Sequence, residues 1–297
     1  MLSAMSYFAL EPVADGVWAA ISQNLTYAMS NAAIVDLGDK TLVFDSGMSV
    51  IAALELRHLA EETTQRPVSY LVNSHHHLDH CLGNQVFADT TIISSSTTRD
   101  LMQARFARLM VESFTEASLE LQQIVAITIW EKNLLALELA ELEMLQVFLP
   151  EFKPSLPNLT FSGSLELVGS KRTAQIQTFG VGHTTSDAVL IVDDVLMTGD
   201  LVLNQNLGFM AHGNPMRWLE RLHDLSQIQG VVQIIPGHGA VGTTNLFEAM
   251  HQQLLEMIAL GNSVQDIAVA QPPSHWLNWG LPASYRANLE FLSTQGV

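Results

Sequence analysis

The chain has 297 residues, with 13 Lys and Arg against 30 Asp and Glu, and a formal net charge of −17. It carries one cysteine, 11 histidines and 48% hydrophobic residues, which is a globular composition and not a disordered one. These counts exclude an internal disulfide and a cysteine-based metal cage. They also predict no nucleic-acid partner and no anionic membrane surface, since both attractions depend on Lys and Arg.

The first dozen residues hold no basic stretch and no sustained apolar core, so no secretory signal is expected and a cytoplasmic location is the default. The apolar run at 121–130 is too short to cross a bilayer of about 30 Å. Apolar runs bounded by turn residues predict strands at 16–21, 32–37 and 41–44, the last two joined by a turn at Gly38-Asp39-Lys40. Helical spacing covers 50–63, followed by short buried strands at 68–73 and 91–94. Composition then shifts. From about 99 to 153 Leu, Glu, Ala, Gln and Met dominate, with almost no Gly or Pro until Pro150, Pro154 and Pro157 end the stretch. These are strong helix formers, so an insertion of two or three helices is predicted. Core packing explains most of its apolar residues, such as Phe106 and Trp130. An unpaired apolar stripe there would serve as a lid or a homodimer contact. Strands resume at 160–161, 165–167, 174–179, 188–192 and 195–198. A helix at 215–225, a strand at 231–235 and a helix at 246–260 follow. Strands alternating with helices predict α/β layers.

The densest chemistry is the run Asn73-Ser74-His75-His76-His77-Leu78-Asp79-His80, directly after a predicted strand. Imidazole and carboxylate are donors that suit zinc or iron. Three further segments repeat the arrangement: Gly182-His183, Gly199-Asp200 and Gly237-His238 each follow a predicted strand. Strand ends in α/β sheets are where such proteins place their sites. Asp45 also ends a strand. It would support a ligand histidine or simply form the turn before Ser46-Gly47. His212, on the loop after Asp200, would line the pocket or face solvent. His76 would turn away from the ions, and Cys81 would be a small buried side chain.

The pattern His75-x-His77-x-Asp79-His80, then His183, Asp200 and His238, resembles the metallo-β-lactamase superfamily. Asp15-Gly16-Val17-Trp18 and Asp45-Ser46-Gly47 add to the likeness. The resemblance implies a single αβ/βα sandwich of two β-sheets over residues 1–297, interrupted by the helical insertion near 99–153. It implies one metal held by His75, His77 and His183, a second by Asp79, His80 and His238, and Asp200 bridging both. The implied cofactors are two divalent ions, zinc foremost, with iron or manganese as the alternatives. The implied activity is hydrolysis of an ester, lactone, thioester or amide bond, as in a β-lactam, of a small molecule. A metal-bridging hydroxide would be the nucleophile, and Asp79 would orient it or move its proton. The same fold also carries phosphodiesterases or nucleases and one-iron oxidoreductases of the persulfide dioxygenase type. The net charge disfavours the first and the intact second ligand set the other.

Overall fold

The computed structural model describes residues 6–23, 27–111, 152–281 and 283–295. Its first sheet contains β1 (Phe8–Ala14), β2 (Val17–Ser22), β3 (Ala32–Asp36), β4 (Thr41–Phe44), β5 (Val68–Val72), β6 (Thr91–Ser95) and β7 (Leu159–Phe161). These seven strands lie in chain order. Strands β1 to β4 pair antiparallel, and β4 to β7 pair parallel. The second sheet contains β8 (Ser164–Val168), β9 (Thr173–Gly180), β10 (Asp187–Val192), β11 (Val195–Met197), β12 (Gln233–Ile235) and β13 (Gly242–Thr243). Its order is β13-β12-β11-β10-β9-β8. Only β11 and β12 pair parallel there.

Strand β3 (AAIVD) is buried along its whole length, which is why it reads as a continuous run and not as an alternation. One of its faces joins the core between the sheets. There Val35, Phe44 and Ile93 of the first sheet meet Ile176, Leu190 and Met197 of the second. On the outer face of the first sheet, α1 (Val50–Thr64) buries Ala52, Leu56 and Ala60 against Ile34, Val43 and Leu71. Ser49 caps this helix by accepting from the Ala52 N–H at 3.2 Å. The outer face of the second sheet is covered by α4 (Pro215–Ser226), α5 (Asn245–Ser263) and α6 (Ala283–Gln295). Their Trp218, Leu222, Leu254 and Leu289 pack with Val189, Leu196 and Ile234. The layers therefore run helix, sheet, sheet, helix, the αβ/βα sandwich that the sequence resemblance implied. Trp218 is fully buried and donates its indole N–H to the Leu201 carbonyl at 2.9 Å. Replacing it by alanine is expected to cost about 3–5 kcal/mol, read as a lowered urea midpoint.

Beside the short β13, two longer elements escaped the sequence reading. Strand β1 contains Pro12, and its register with β2 shifts between Pro12 and Ala14. A proline with no N–H to donate is tolerated because β1 is an edge strand. Helix α6 hides a short apolar stripe of Tyr285, Leu289 and Leu292 within a polar run. A single helical turn, α2 (Leu78–Cys81), follows β5, and the stretch expected to be helical opens with α3 (Ser96–Val111), three residues earlier than expected, because Ser95 Oγ accepts from the Thr98 N–H at 2.9 Å. The further helices expected at 112–151, with their lid or dimer contact, lie outside the described residues. Among the described residues no helix is long and apolar enough to cross a membrane.

Topology brings the ends of five strands together. Strands β4 and β5 are parallel, so both finish at one edge of the first sheet. In the second sheet β10 is antiparallel to both β9 and β11, and β12 is parallel to β11, so β9, β11 and β12 also finish together. Two backbone bonds tie these edges across the sandwich. Ala188 N donates to Ser74 O at 2.9 Å, and Asn31 N donates to Gly237 O at 2.8 Å.

Candidate metal centre

Each of the five strand ends delivers one segment to the same place. Strand β4 delivers Asp45, and β5 delivers His75, His77, Asp79 and His80. Strands β9, β11 and β12 deliver His183, Asp200 and His238. The donor atoms form two groups, each within 4.8 Å: His75, His77, His183 and Asp200, and Asp79, His80 and His238. Asp200 faces both. Its Oδ1 lies 3.1 Å from His80 Nε2 and 3.4 Å from His238 Nε2, and its Oδ2 lies 3.4 Å from His183 Nε2 and 3.9 Å from His75 Nε2. Asp79 Oδ2 lies 3.2 Å from His238 Nε2 and 3.4 Å from His80 Nε2.

The outward-facing ring nitrogens decide what the inward ones carry. His238 Nδ1 lies 3.1 Å from the Met29 carbonyl, which only accepts, so this nitrogen bears the hydrogen. His80 Nδ1 donates to Asp45 Oδ2 at 2.8 Å. Ser74 donates its hydroxyl to the same Oδ2 at 2.7 Å, which leaves its oxygen to accept from His75 Nδ1 at 2.9 Å. In the neutral rings the Nε2 atoms of His75, His80 and His238 are therefore bare lone pairs aimed at carboxylate lone pairs. His75 Nε2, His80 Nε2 and Asp200 Oδ1 are buried and make no well-aligned hydrogen bond, although His80 Nε2 and Asp200 Oδ1 lie 3.1 Å apart. Lone pairs converging at this range repel unless a cation sits among them. The donor set is imidazole and carboxylate, which suits a divalent transition-metal ion.

Electrostatics agree. Burial holds His75 and His77 well below the ordinary imidazole value and pushes His183 down to about 4, so these rings are neutral donors. Burial also opposes a charge on His80 and His238. The Asp200 and Asp79 carboxylates outweigh it, raising His80 well above its ordinary value and His238 to about 9. The acidic half of the centre gathers protons in place of another positive charge.

The sequence profile of the metallo-β-lactamase superfamily matches residues 25–238. The chain belongs to the metallo-β-lactamase superfamily. Its fold is that of solved metallo-β-lactamases. A metallo-β-lactamase from Pontibacter korlensis is 18% identical, with 84% of this chain and 99% of that one covered at a TM-score of 0.59. The metallo-β-lactamase FIM-1 from Pseudomonas aeruginosa, in its mono-zinc form, is 17% identical, with 84% and 95% covered at a TM-score of 0.59. No curated protein matches the chain in sequence.

Within this superfamily frame the remaining predicted residues find definite places. Asp45 is buried beneath His80, and its Oδ1 also accepts from the Ser74 N–H at 2.7 Å. His212 Nδ1 lies 2.8 Å from His77 Nε2, which leaves His77 Nδ1 facing His183 Nε2 at 3.0 Å. His76 is not turned away as expected: its ring lies 4.9 Å from that of His77 and 5.8 Å from that of His212, and the donor atoms of these three histidines form a further group within 4.8 Å. Cys81 is buried among Met48, Leu78 and Met102, its thiol directed at the His77 carbonyl.

Supporting residues not anticipated from sequence are Ser74 and Asn31. The Asn31 amide donates to the carbonyls of Pro236 at 3.0 Å and Gly239 at 2.7 Å, clamping the His238 loop. Ser74 had one available signal, its position beside His75. Gly237 allows the closest approach: a Cβ there would overlap Asp200 Oδ1 and stand 2.7 Å from the Gly199 carbonyl carbon. Gly237→Ala is expected to displace Asp200 and lower metal occupancy at unchanged ion concentration, measured by elemental analysis.

Proposed function

We propose that the protein is a metal-dependent hydrolase that cleaves an ester, lactone, thioester or amide bond, β-lactams included, in a small molecule. One observation carries this reading: seven imidazole and carboxylate side chains from four strand ends converge, their donor atoms in two groups each within 4.8 Å. His75, His77 and His183 would hold one divalent ion and Asp79, His80 and His238 a second, with Asp200 between them. Two zinc ions there would supply Lewis-acid polarisation of the scissile group and lower the pKa of a water, so no protein nucleophile is required.

The chain's own residues do the rest. The centre opens into a pocket of about 250 Å³, a small-molecule space lined by His77, Asp79, Asp200, His212 and His238. Met29, Leu78, Phe209 and Leu281 give it an apolar wall that excludes water from a bound substrate. Burial would raise the Asp79 carboxyl, but His80 and His238 outweigh it and hold Asp79 well below the usual carboxylate range. Ionised and at the pocket edge, Asp79 is placed to orient a water or accept its proton. The complete Asp79, His80 and His238 group favours two ions over the single iron of an oxidoreductase.

The test is elemental analysis of the purified protein with a screen of lactones, thioesters, chromogenic β-lactams and phosphodiesters. Two zincs per chain are expected, with hydrolysis of a carbonyl substrate that disappears on chelation and returns with zinc. Phosphodiesterase activity alone, or one iron with oxygen consumption, would overturn the reading.

A further inference from the structure

Resting on that reading of the pocket, one side chain in its lining stands apart. Arg105, half-buried on α3, is the single arginine or lysine lining the pocket among the described residues. Every other arginine whose side chain is described holds a carboxylate within 4.0 Å, as Arg57 holds Glu61 and Asp89 and Arg172 holds Asp15 and Asp193. Arg105 has no such partner among the described residues, although acidic residues outnumber basic ones 30 to 13. Asp79 and Asp200 line the same pocket, yet neither pairs with it.

The helix that carries Arg105 is fixed against the metal-binding segment. Met102 and Phe106, either side of it, are buried with Leu78, Cys81 and Leu82. The backbone that carries the guanidinium is thus held at a set offset from His77 and Asp79, as the support of a recognition group must be. A guanidinium presents a planar fork of donors that fits a carboxylate in two parallel hydrogen bonds.

We propose that Arg105 is the anion-recognising residue of the pocket and that the substrates cleaved there carry one carboxylate beside an apolar body. The carboxylate docks on Arg105, and the apolar body lies against Met29, Leu78, Phe209 and Leu281. The scissile bond is thereby carried to the metal centre. One guanidinium balances one negative charge. A polyanion would also meet the net acidic surface of the chain.

The test is calorimetric titration of the zinc-loaded protein with 4-phenylbutyrate and with its neutral amide. The carboxylate is expected to bind about 10-fold or more tightly than the amide, the range of a charge-assisted bidentate contact. In Arg105→Met that preference disappears while zinc content and circular dichroism stay as in the wild type, and Arg105→Lys retains part of it. Equal affinity for the two probes, no binding of either, or a preference that survives in Arg105→Met overturns the assignment. The last outcome would place the carboxylate on the metal. The hydrolase reading is judged separately by the substrate screen, so a preference lost in Arg105→Met stands even where no ester is cleaved.

Discussion

Asp200→Ala is expected to empty both halves of the metal centre. Asp200 reaches both donor groups, with Oδ1 at 3.1 Å from His80 Nε2 and Oδ2 at 3.4 Å from His183 Nε2. Without it, His80, His238, His183 and His75 lose a carboxylate within 3.9 Å that would help offset two cations. Loss of a residue that merely supports a ligand costs about 10–100-fold in metal affinity or activity. Loss of the shared ligand itself is therefore expected to cost more than about 100-fold in kcat/KM. Metal content should fall below one ion per chain. The fold should persist, because the Asp200 backbone sits in a short turn packed by Leu201 and Val202 in the core. Elemental analysis beside circular dichroism reads both. Unchanged metal content in a folded Asp200→Ala protein would remove Asp200 from the centre.

Asp45→Asn is expected to weaken metal binding at His80 by about 10–100-fold. The Asp45 carboxylate accepts three hydrogen bonds, from Ser74 N and Ser74 Oγ at 2.7 Å each and from His80 Nδ1 at 2.8 Å. Through Ser74 it also sets the tautomer of His75. The asparagine amide keeps one acceptor oxygen and puts two donors where an acceptor is needed. A buried donor left unmet costs about 1–3 kcal/mol, so the metal-free variant should also unfold at lower urea. Asparagine is the informative choice because Asp45 has φ of 62°, a left-handed conformation that Asn tolerates better than Ala. Competition against a chromophoric chelator measures the affinity. An unchanged affinity would reduce Asp45 to a turn residue.

The sandwich was legible because the strands buried on both faces, such as β3, are unbroken apolar runs and because Gly and Pro mark the turns. The donor residues were legible because they cluster just after those runs. What sequence could not show is which ring nitrogen faces inward. That depends on the Met29 carbonyl and Asp45, 209 and 35 positions away from the rings they orient, and on Ser74 directly beside its ring. The contact between His212 and His77 spans 135 positions, so sequence left it open between pocket and solvent. Arg105 was invisible for another reason. In a helix-forming stretch an arginine on the solvent face and one on the pocket face read alike, and only the ion pairs of the folded chain separate them. Strand β1 was missed because its proline is a breaker everywhere except at a sheet edge.

The position of bound metal tests the centre most directly. Anomalous diffraction from crystals of the zinc-loaded protein, collected at the zinc edge, measures this. Two peaks are predicted. One should lie about 2.0–2.1 Å from nitrogens of His75, His77 and His183, the other at similar range from His80 and His238 and from Asp79, with Asp200 touching both. No peak at these residues, or zinc held elsewhere on the chain, would contradict the assignment of the centre and the hydrolase built on it.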